Sequence, residues 1–311
     1  MQPGRGTGCY AAMFIPHEGR GAGPAVQPTR AALTKMWAIT WRITVFFLLW
    51  GLLLVPAVLP RVWLHDLGQQ SPALQRFYYD GTGLLASLAA CALMVCWVDR
   101  KGQVPLGFGR ERAVGGVMGG LAGGAAWLAV SLGLVALLGG VAYEPHGELA
   151  GPTLGLAAVS LLLNAAVQEV ITRSYPFQLM LRRAGAGWAV LVSSLMFMAM
   201  HAAVLRGALL PAVNVFVASV LFGLVLLRTG RLWAVIALHF AWNFLVGPVL
   251  GLAVSGQDLT EGWRMFSLRG PDWLTGGAFG LEGSLVVTFV TLAACVVVGR
   301  WRGWRLAETG T

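Results

Sequence analysis

The chain has 311 residues, of which 57% are hydrophobic and only 11% are charged. A soluble domain carries roughly a quarter charged residues, so this composition excludes an ordinary soluble protein and indicates a membrane protein. The net charge of +9 is compatible with nucleic-acid binding, but the positions of the basic residues argue against nucleic acid as a partner.

Residues 1–35 are rich in Gly, Pro and Arg and show no apolar periodicity. Because such a segment buries too little apolar surface to fold alone, we predict a disordered cytoplasmic tail. The alternative is that the protein begins at Met13 or Met36. The segment does not resemble a signal peptide, since its apolar run begins too late and lacks a clear cleavage site. Residues 36–306 are predicted to form one transmembrane domain.

Long apolar segments follow one another through this domain. Each is long enough to cross a hydrocarbon core of about 30 Å at 1.5 Å per residue. We therefore predict an all-α, polytopic membrane helix bundle with about eight transmembrane helices. Their approximate bounds are 43–60, 82–98, 114–141, 153–181, 188–205, 209–227, 232–254 and 284–300. The predicted long exterior loop covers about 255–283.

The distribution of Lys and Arg predicts the orientation of the bundle. If the amino terminus is cytoplasmic, fifteen of the 22 basic residues lie on the cytoplasmic side and five outside, with Arg42 and Arg173 at or within helices. By the positive-inside rule, we expect a multi-pass protein of the inner (plasma) membrane with both termini in the cytoplasm. This bias explains the positive net charge, so no nucleic-acid partner is needed. The predicted partner around the helices is the lipid bilayer.

The third predicted helix begins with small residues at spacing four. Such rows let a second helix backbone approach closely, so we predict a packing role. The residues are Gly115, Gly116, Gly119, Gly120, Gly123 and Gly124.

Ionisable groups near the bilayer midplane are costly, which makes them functional candidates. Nearly all of them, with their polar neighbours, lie on the fourth, fifth and seventh predicted helices: Gln168, Glu169, Arg173, His201, His239 and Asn243. Glu169 and Arg173 are four residues apart, so they share one helical face and can pair. Asn164 and Asn214 are interpreted as hydrogen-bonding bridges between helices.

The depths of these residues agree with one another. A rise of 1.5 Å per residue places Glu169 about 18 Å and His201 about 20 Å from the cytoplasmic ends of their helices. By the same rise, His239 and Asn243 lie about 11 and 17 Å deep. Helices in alternating directions thus bring polar groups to one level. The alternative is structural: Glu169 and Arg173 form a neutralised pair, and Asn243 bridges helices.

One carboxylate, two imidazoles and one carboxamide are suited to hydrolysis. A shielded carboxylate can act as a general base toward water, while His and Asn side chains hold that water or donate to the oxyanion. Alternatively, Glu169, His201 and His239 could ligate zinc and leave an open position for water. The His-Glu-x-x-His spacing of zinc proteases is absent from the sequence.

Three segments resemble motifs of the CPBP (CAAX protease and bacteriocin-processing, or Abi) family. Residues 168–173 resemble its Glu-Glu-x-x-x-Arg motif, Phe197 to His201 its Phe-x-x-x-His motif, and His239 to Asn243 its His-x-x-x-Asn motif. The order and spacing agree, and the motif core covers 152–254. The family comprises multi-spanning membrane endopeptidases related to type II CAAX prenyl proteases.

The resemblance implies cleavage of a membrane-associated peptide or protein substrate. Glu169 would activate water, while His201, His239 and Asn243 would position it and stabilise the oxyanion. Gln168, Arg173 and Phe197 would support the site.

One residue departs from the family pattern. The first of the two motif glutamates usually has the catalytic role, and here that position is Gln168, which cannot act as a base. Adjacent helical residues point about 100° apart, so Glu169 does not directly replace it. Either Glu169 serves as the base after a small rotation, or the protein is a catalytically impaired membrane scaffold or immunity protein. A small-molecule transporter is a further alternative, but it predicts inverted repeats and interrupted helices.

Overall fold

The computed structural model describes residues 29–58, 72–100, 104–148, 151–259 and 262–301. These residues are predominantly helical, which confirms the predicted all-α membrane bundle. Most of the predicted tail, residues 1–28, lies outside the described residues. The end of that segment is helical instead, because the first helix already begins at Arg30.

The described residues form helices that alternate with short connections and two strands. The helices are α1 (Arg30–Val58), α2 (Pro72–Leu93), α3 (Ala113–Leu137), α4 (Gly151–Arg173), α5 (Tyr175–Ala184), α6 (Ala186–Met200), α7 (Ala202–Leu205), α8 (Leu209–Thr229), α9 (Leu232–Phe244), α10 (Asp272–Thr275) and α11 (Leu285–Arg300). Single π turns extend α2 over Met94–Val98 and α9 over Leu245–Val249. Short 3₁₀ turns cover Gly277–Phe279 and Leu281–Gly283. The strands are β1 (Val141–His146) and β2 (Arg264–Leu268).

Six apolar helical stretches of the described chain are long enough to cross a membrane. They are Ala32–Pro56, Leu74–Val98, Ala113–Leu137, Gly151–Ala184, Leu209–Thr229 and Leu232–Val249. The helices Ala186–Met200 and Leu285–Arg300 are apolar but shorter. These two and the six long stretches occupy the eight predicted positions. The inner membrane and the cytoplasmic termini stay predictions.

Two predicted helices are interrupted where the sequence analysis made them continuous. The helix predicted over 153–181 breaks at Ser174, between α4 and α5. Pro176 lies in the first turn of α5, and a proline there cannot continue the hydrogen bonds of the preceding helix. The helix predicted over 188–205 ends at Met200, and His201 separates it from the short α7.

The predicted exterior loop contains structure that the sequence analysis missed. Strand β2 pairs with β1 as an antiparallel ribbon in which Val141 lies opposite Leu268 and Tyr143 opposite Phe266. The helix predicted over 114–141 therefore ends at Leu137, before β1. Because the two strands are more than a hundred residues apart in the chain, no hairpin signal in the sequence announces this pairing.

The glycine row of α3 packs against α9, as its spacing predicts. A Cβ atom on Gly124 would lie 2.6 Å from the carbonyl oxygen of Leu238 and 2.8 Å from the Cβ of Ala241. Gly120 is equally close to the α9 backbone, whereas a Cβ atom on Gly119 would have nothing within 4 Å. Only glycine permits the approach at Gly120 and Gly124, which holds α9 against the bundle.

Helix α4 lies at the centre of the bundle, in contact with α2, α6 and α9. The outer faces of α1 and α11 expose large apolar side chains, with Leu52 67% and Phe289 64% exposed. In a bilayer these faces contact lipid. Glu169 and Arg173 of α4 are instead buried in the protein interior, where ionisable groups of membrane proteins usually lie.

Candidate active site

Glu169 contacts its predicted partner Arg173 and also His239. Its side chain is fully buried. One carboxylate oxygen, Oε2, accepts a hydrogen bond of 2.7 Å from Arg173 Nη1. The other, Oε1, lies 2.9 Å from His239 Nδ1. Because an ionised carboxylate only accepts hydrogen bonds, Nδ1 of His239 carries the proton of this contact.

Arg173 contacts α4, α8 and two aromatic rings, while its buried Nε has no hydrogen-bond partner among the described residues. Its Nη1 also donates to Thr172 Oγ1 at 2.9 Å, and its Nη2 donates to the backbone oxygen of Ser219 at 2.8 Å and to the Ser219 hydroxyl. The guanidinium lies 5.1 Å from the ring centroid of Phe197 and 5.3 Å from that of Phe222. These contacts compensate a buried charge that would otherwise be costly.

A cavity of about 480 Å³ lies beside this network, between α1, α2, α4, α6, α8 and α9. Five of the seven predicted site residues line it: Gln168, Phe197, His201, His239 and Asn243. Glu169 and Arg173 do not line it, since they are fully buried behind His239 and Phe197. The structure therefore brings the three motif segments together but leaves the motif carboxylate outside the cavity.

His201 ends α6, and its ring is oriented by the helix terminus. Its Nδ1 lies 2.8 Å from the carbonyl oxygen of Phe197, four residues earlier. A carbonyl only accepts, so Nδ1 carries the proton and Nε2 has a free lone pair in the neutral ring. The Phe197 ring contacts both imidazoles, with centroid distances of 4.6 Å to His201 and 5.7 Å to His239.

Asn243 lies one turn after His239 on α9 and is 6% exposed. Its side chain lines the cavity. Within the described part of the chain, its carboxamide has no hydrogen-bond partner, so its amide can donate to a molecule in the cavity.

Gln168 belongs to a different hydrogen-bonded chain. Its Nε2 donates to Asn164 Oδ1 at 2.8 Å, and Asn164 Nδ2 donates to Asp80 Oδ1 at 3.0 Å. All three residues line the cavity. Asp80 is not among the residues predicted from the sequence, because the second helix is predicted to begin at residue 82, whereas α2 begins at Pro72.

Glu282 is a second cavity residue that the sequence analysis missed. It lies in the predicted exterior loop, yet its Oε1 accepts from Trp242 Nε1 at 2.8 Å. Its Oε2 accepts from the backbone nitrogen and the hydroxyl of Ser255 at 2.5 and 2.7 Å. Asn214 donates to the carbonyl oxygens of Glu282 and Ser284 at 2.8 and 2.9 Å, which confirms its bridging interpretation. This loop therefore forms one wall of the cavity.

Glu169, His201 and His239 do not fit the predicted zinc site. Both oxygens of Glu169 are directed to Arg173 and His239, and His201 Nδ1 is bonded to a carbonyl. Nowhere in the described ranges do three or more His, Cys, Asp or Glu side chains form a group arranged to hold a metal ion.

The comparison with known proteins agrees with the motifs in the sequence. Residues 150–245, which include α4 to α9, match the family model described as type II CAAX prenyl endopeptidase Rce1-like. No curated protein and no solved structure matches the chain significantly. The matched segment contains every residue of the three motifs, whereas Asp80 and Glu282 lie outside it. The match covers less than a third of the chain, and over that segment the chain is similar to the type II CAAX prenyl endopeptidase family that the motifs also indicate.

Proposed function

We propose that this protein is a membrane-embedded endopeptidase that cleaves membrane-associated peptides or proteins in the cavity beside α4, α6 and α9. The observation that carries the proposal is that His201, His239 and Asn243 line one cavity within an apolar bundle. Peptide hydrolysis needs a base for the attacking water and donors for the oxyanion. These three side chains supply both functions.

His201 is assigned as the general base. Its Nδ1 donates to the Phe197 carbonyl, so Nε2 can accept a proton from water. The resulting hydroxide attacks the peptide carbonyl carbon and forms a tetrahedral oxyanion. When the carbon–nitrogen bond breaks, the leaving amine takes the proton that His201 holds, and the products are a carboxylic acid and an amine.

His239 and Asn243 are assigned as oxyanion donors. The Glu169 carboxylate accepts from His239 Nδ1 and stabilises the doubly protonated ring, whose Nε2–H can then donate to the oxyanion. The Asn243 amide donates to the same oxygen. Glu169 is thus assigned as a positioning residue instead of the base. To reach the cavity it would have to leave both Arg173 and His239, and breaking a buried ion pair costs about 3–5 kcal/mol.

The test is cleavage of membrane-anchored peptides by the purified protein in lipid nanodiscs, with new termini identified by mass spectrometry. We expect His201→Ala and His239→Ala to abolish cleavage. His146→Ala, at an exposed position on β1, is the matched control and should cleave at the wild-type rate. Cleavage that persists in both cavity variants would exclude this mechanism.

A second candidate function rests on Gln168, which occupies the position of the first motif glutamate. The protein would then be a non-catalytic scaffold or immunity protein that binds peptides in the same cavity. It predicts peptide binding without cleavage, and binding that survives His201→Ala. Any cleavage that depends on His201 contradicts it.

A further inference from the structure

Asp80 is a carboxylate of the cavity wall that the family match does not include. It lies on α2, two hydrogen bonds away from Gln168. The other carboxylate among the described cavity residues, Glu282, has both oxygens bonded to Trp242 and Ser255. Among the described cavity residues, Asp80 is therefore the carboxylate that contacts α4, through Asn164.

The charge of Asp80 fixes the direction of both hydrogen bonds that link Asp80, Asn164 and Gln168. A carboxylate only accepts, so Asn164 must turn its amide nitrogen toward Asp80 and its oxygen toward Gln168. Gln168 must then turn its own nitrogen toward Asn164. Its oxygen, Oε1, is buried and has no hydrogen-bond partner within the part of the chain that the structure describes.

An unpartnered buried acceptor beside a polar cavity is a binding position for a small donor. Gln168 and His201 both line this cavity, and their acceptor atoms are the buried Oε1 of Gln168 and Nε2 of His201. Two acceptors can take the two O–H bonds of one water molecule, which leaves an oxygen lone pair free to attack a carbonyl.

We propose that Asp80 is a positioning residue of the peptidase site: it orients Gln168 through Asn164 so that Oε1 holds the attacking water. This proposal rests on the proposed function and deepens it. The motif usually has a negative charge at position 168, whereas here the negative charge lies at position 80. The carboxamide of Asn164 connects the two positions, so the charge of Asp80 orients Gln168.

The kinetic test exchanges the carboxylate and the carboxamide between positions 80 and 168, the two ends of the hydrogen-bonded network. Asp80→Asn allows both carboxamides to turn over, so kcat should fall about tenfold to a hundredfold with little change in KM. Asp80→Glu should retain most of kcat. The double variant Asp80→Asn with Gln168→Glu reverses the direction of each bond and again places an acceptor oxygen at position 168, so kcat should recover above that of Asp80→Asn. Asp272→Asn, an exposed position on α10, is the matched control.

A wild-type kcat in Asp80→Asn would overturn the proposal, as would a double variant no faster than Asp80→Asn. Thermal unfolding separates this proposal from the proposed function, because it needs no activity. Gln168→Glu alone places two carboxylates at the ends of one carboxamide, so its Tm should be lower than that of the double variant. If no variant cleaves any substrate but this Tm order holds, the proposed function fails and the Asp80 network stands. If the double variant is the least stable, the network itself is refuted.

Discussion

The two polar networks on α4 differ in how they end. Around Glu169, both carboxylate oxygens and both terminal nitrogens of Arg173 are bonded within the protein. The hydrogen bonds that start at Asp80 instead end at Gln168, a residue of the cavity lining. Its Oε1 has no partner among the described residues. Arg173 Nε also lacks a partner among the described residues, but Arg173 does not line the cavity. Paired buried charges stabilise and orient the site, whereas an unpaired acceptor on a cavity residue can bind another molecule. Adjacent residues of one helix therefore take different roles because they point in different directions.

The largest expected effect separates Glu169 from Gln168. Glu169→Ala leaves the buried Arg173 without its carboxylate, so we expect the free energy of unfolding to fall by about 3–5 kcal/mol. Gln168→Ala removes one hydrogen bond beside a cavity, so its loss should stay below about 1.5 kcal/mol. Unfolding in mixed detergent micelles measures both values. Equal losses would mean that the two networks do not differ as described.

The second effect concerns kcat alone. Asn243→Ala should lower kcat by about 100- to 1,000-fold, the usual effect of removing one oxyanion donor. Its stability should not change, because its carboxamide has no partner in the described ranges. Asn214→Ala is the contrasting variant: it removes bonds to two backbone carbonyls and should reduce stability. Wild-type kcat in Asn243→Ala would remove this residue from the mechanism.

A smaller effect tests how α9 is held in place behind the cavity. Gly124→Ala should reduce the free energy of unfolding by about 1–3 kcal/mol, since the new methyl group would overlap the α9 backbone. The same substitution at Gly119, where nothing lies within 4 Å, should leave stability unchanged or raise it slightly. Thermal unfolding of the two variants in detergent compares them directly, and a reversed order would contradict the α3–α9 contact.

The smallest expected effect is that of metal removal. Since Glu169, His201 and His239 do not fit a zinc site, cleavage after dialysis against a strong chelator should proceed at the untreated rate. Activity that is lost on chelation and restored by zinc alone would show that the donor set rearranges in the active protein.

Much of the bundle and part of the site follow from local sequence features. The lengths of the apolar runs predict the helix positions because a bilayer requires about 20 apolar residues per span. The four-residue spacing of Glu169 and Arg173 predicts their ion pair, which the structure contains. The spacing of glycines in α3 likewise predicts the close contact with α9.

Other features depend on contacts between residues far apart in the chain. The sequence could not reveal that Glu169 also bonds His239 and is withdrawn from the cavity, because this follows from the packing of α9 on α4. Asp80 and Glu282 lie in segments that the hydropathy pattern assigned to loops, so their partners Asn164 and Trp242 were not predictable.

The sequence by itself determined the membrane environment, the helical class and the identity of the polar motif residues. These depend on composition and on spacing along one helix. Only the tertiary structure decided which polar groups face the cavity and which are enclosed behind it. That choice depends on the rotation and packing of separate helices, since a hydrogen bond forms only where two side chains from different segments meet at the correct distance and angle.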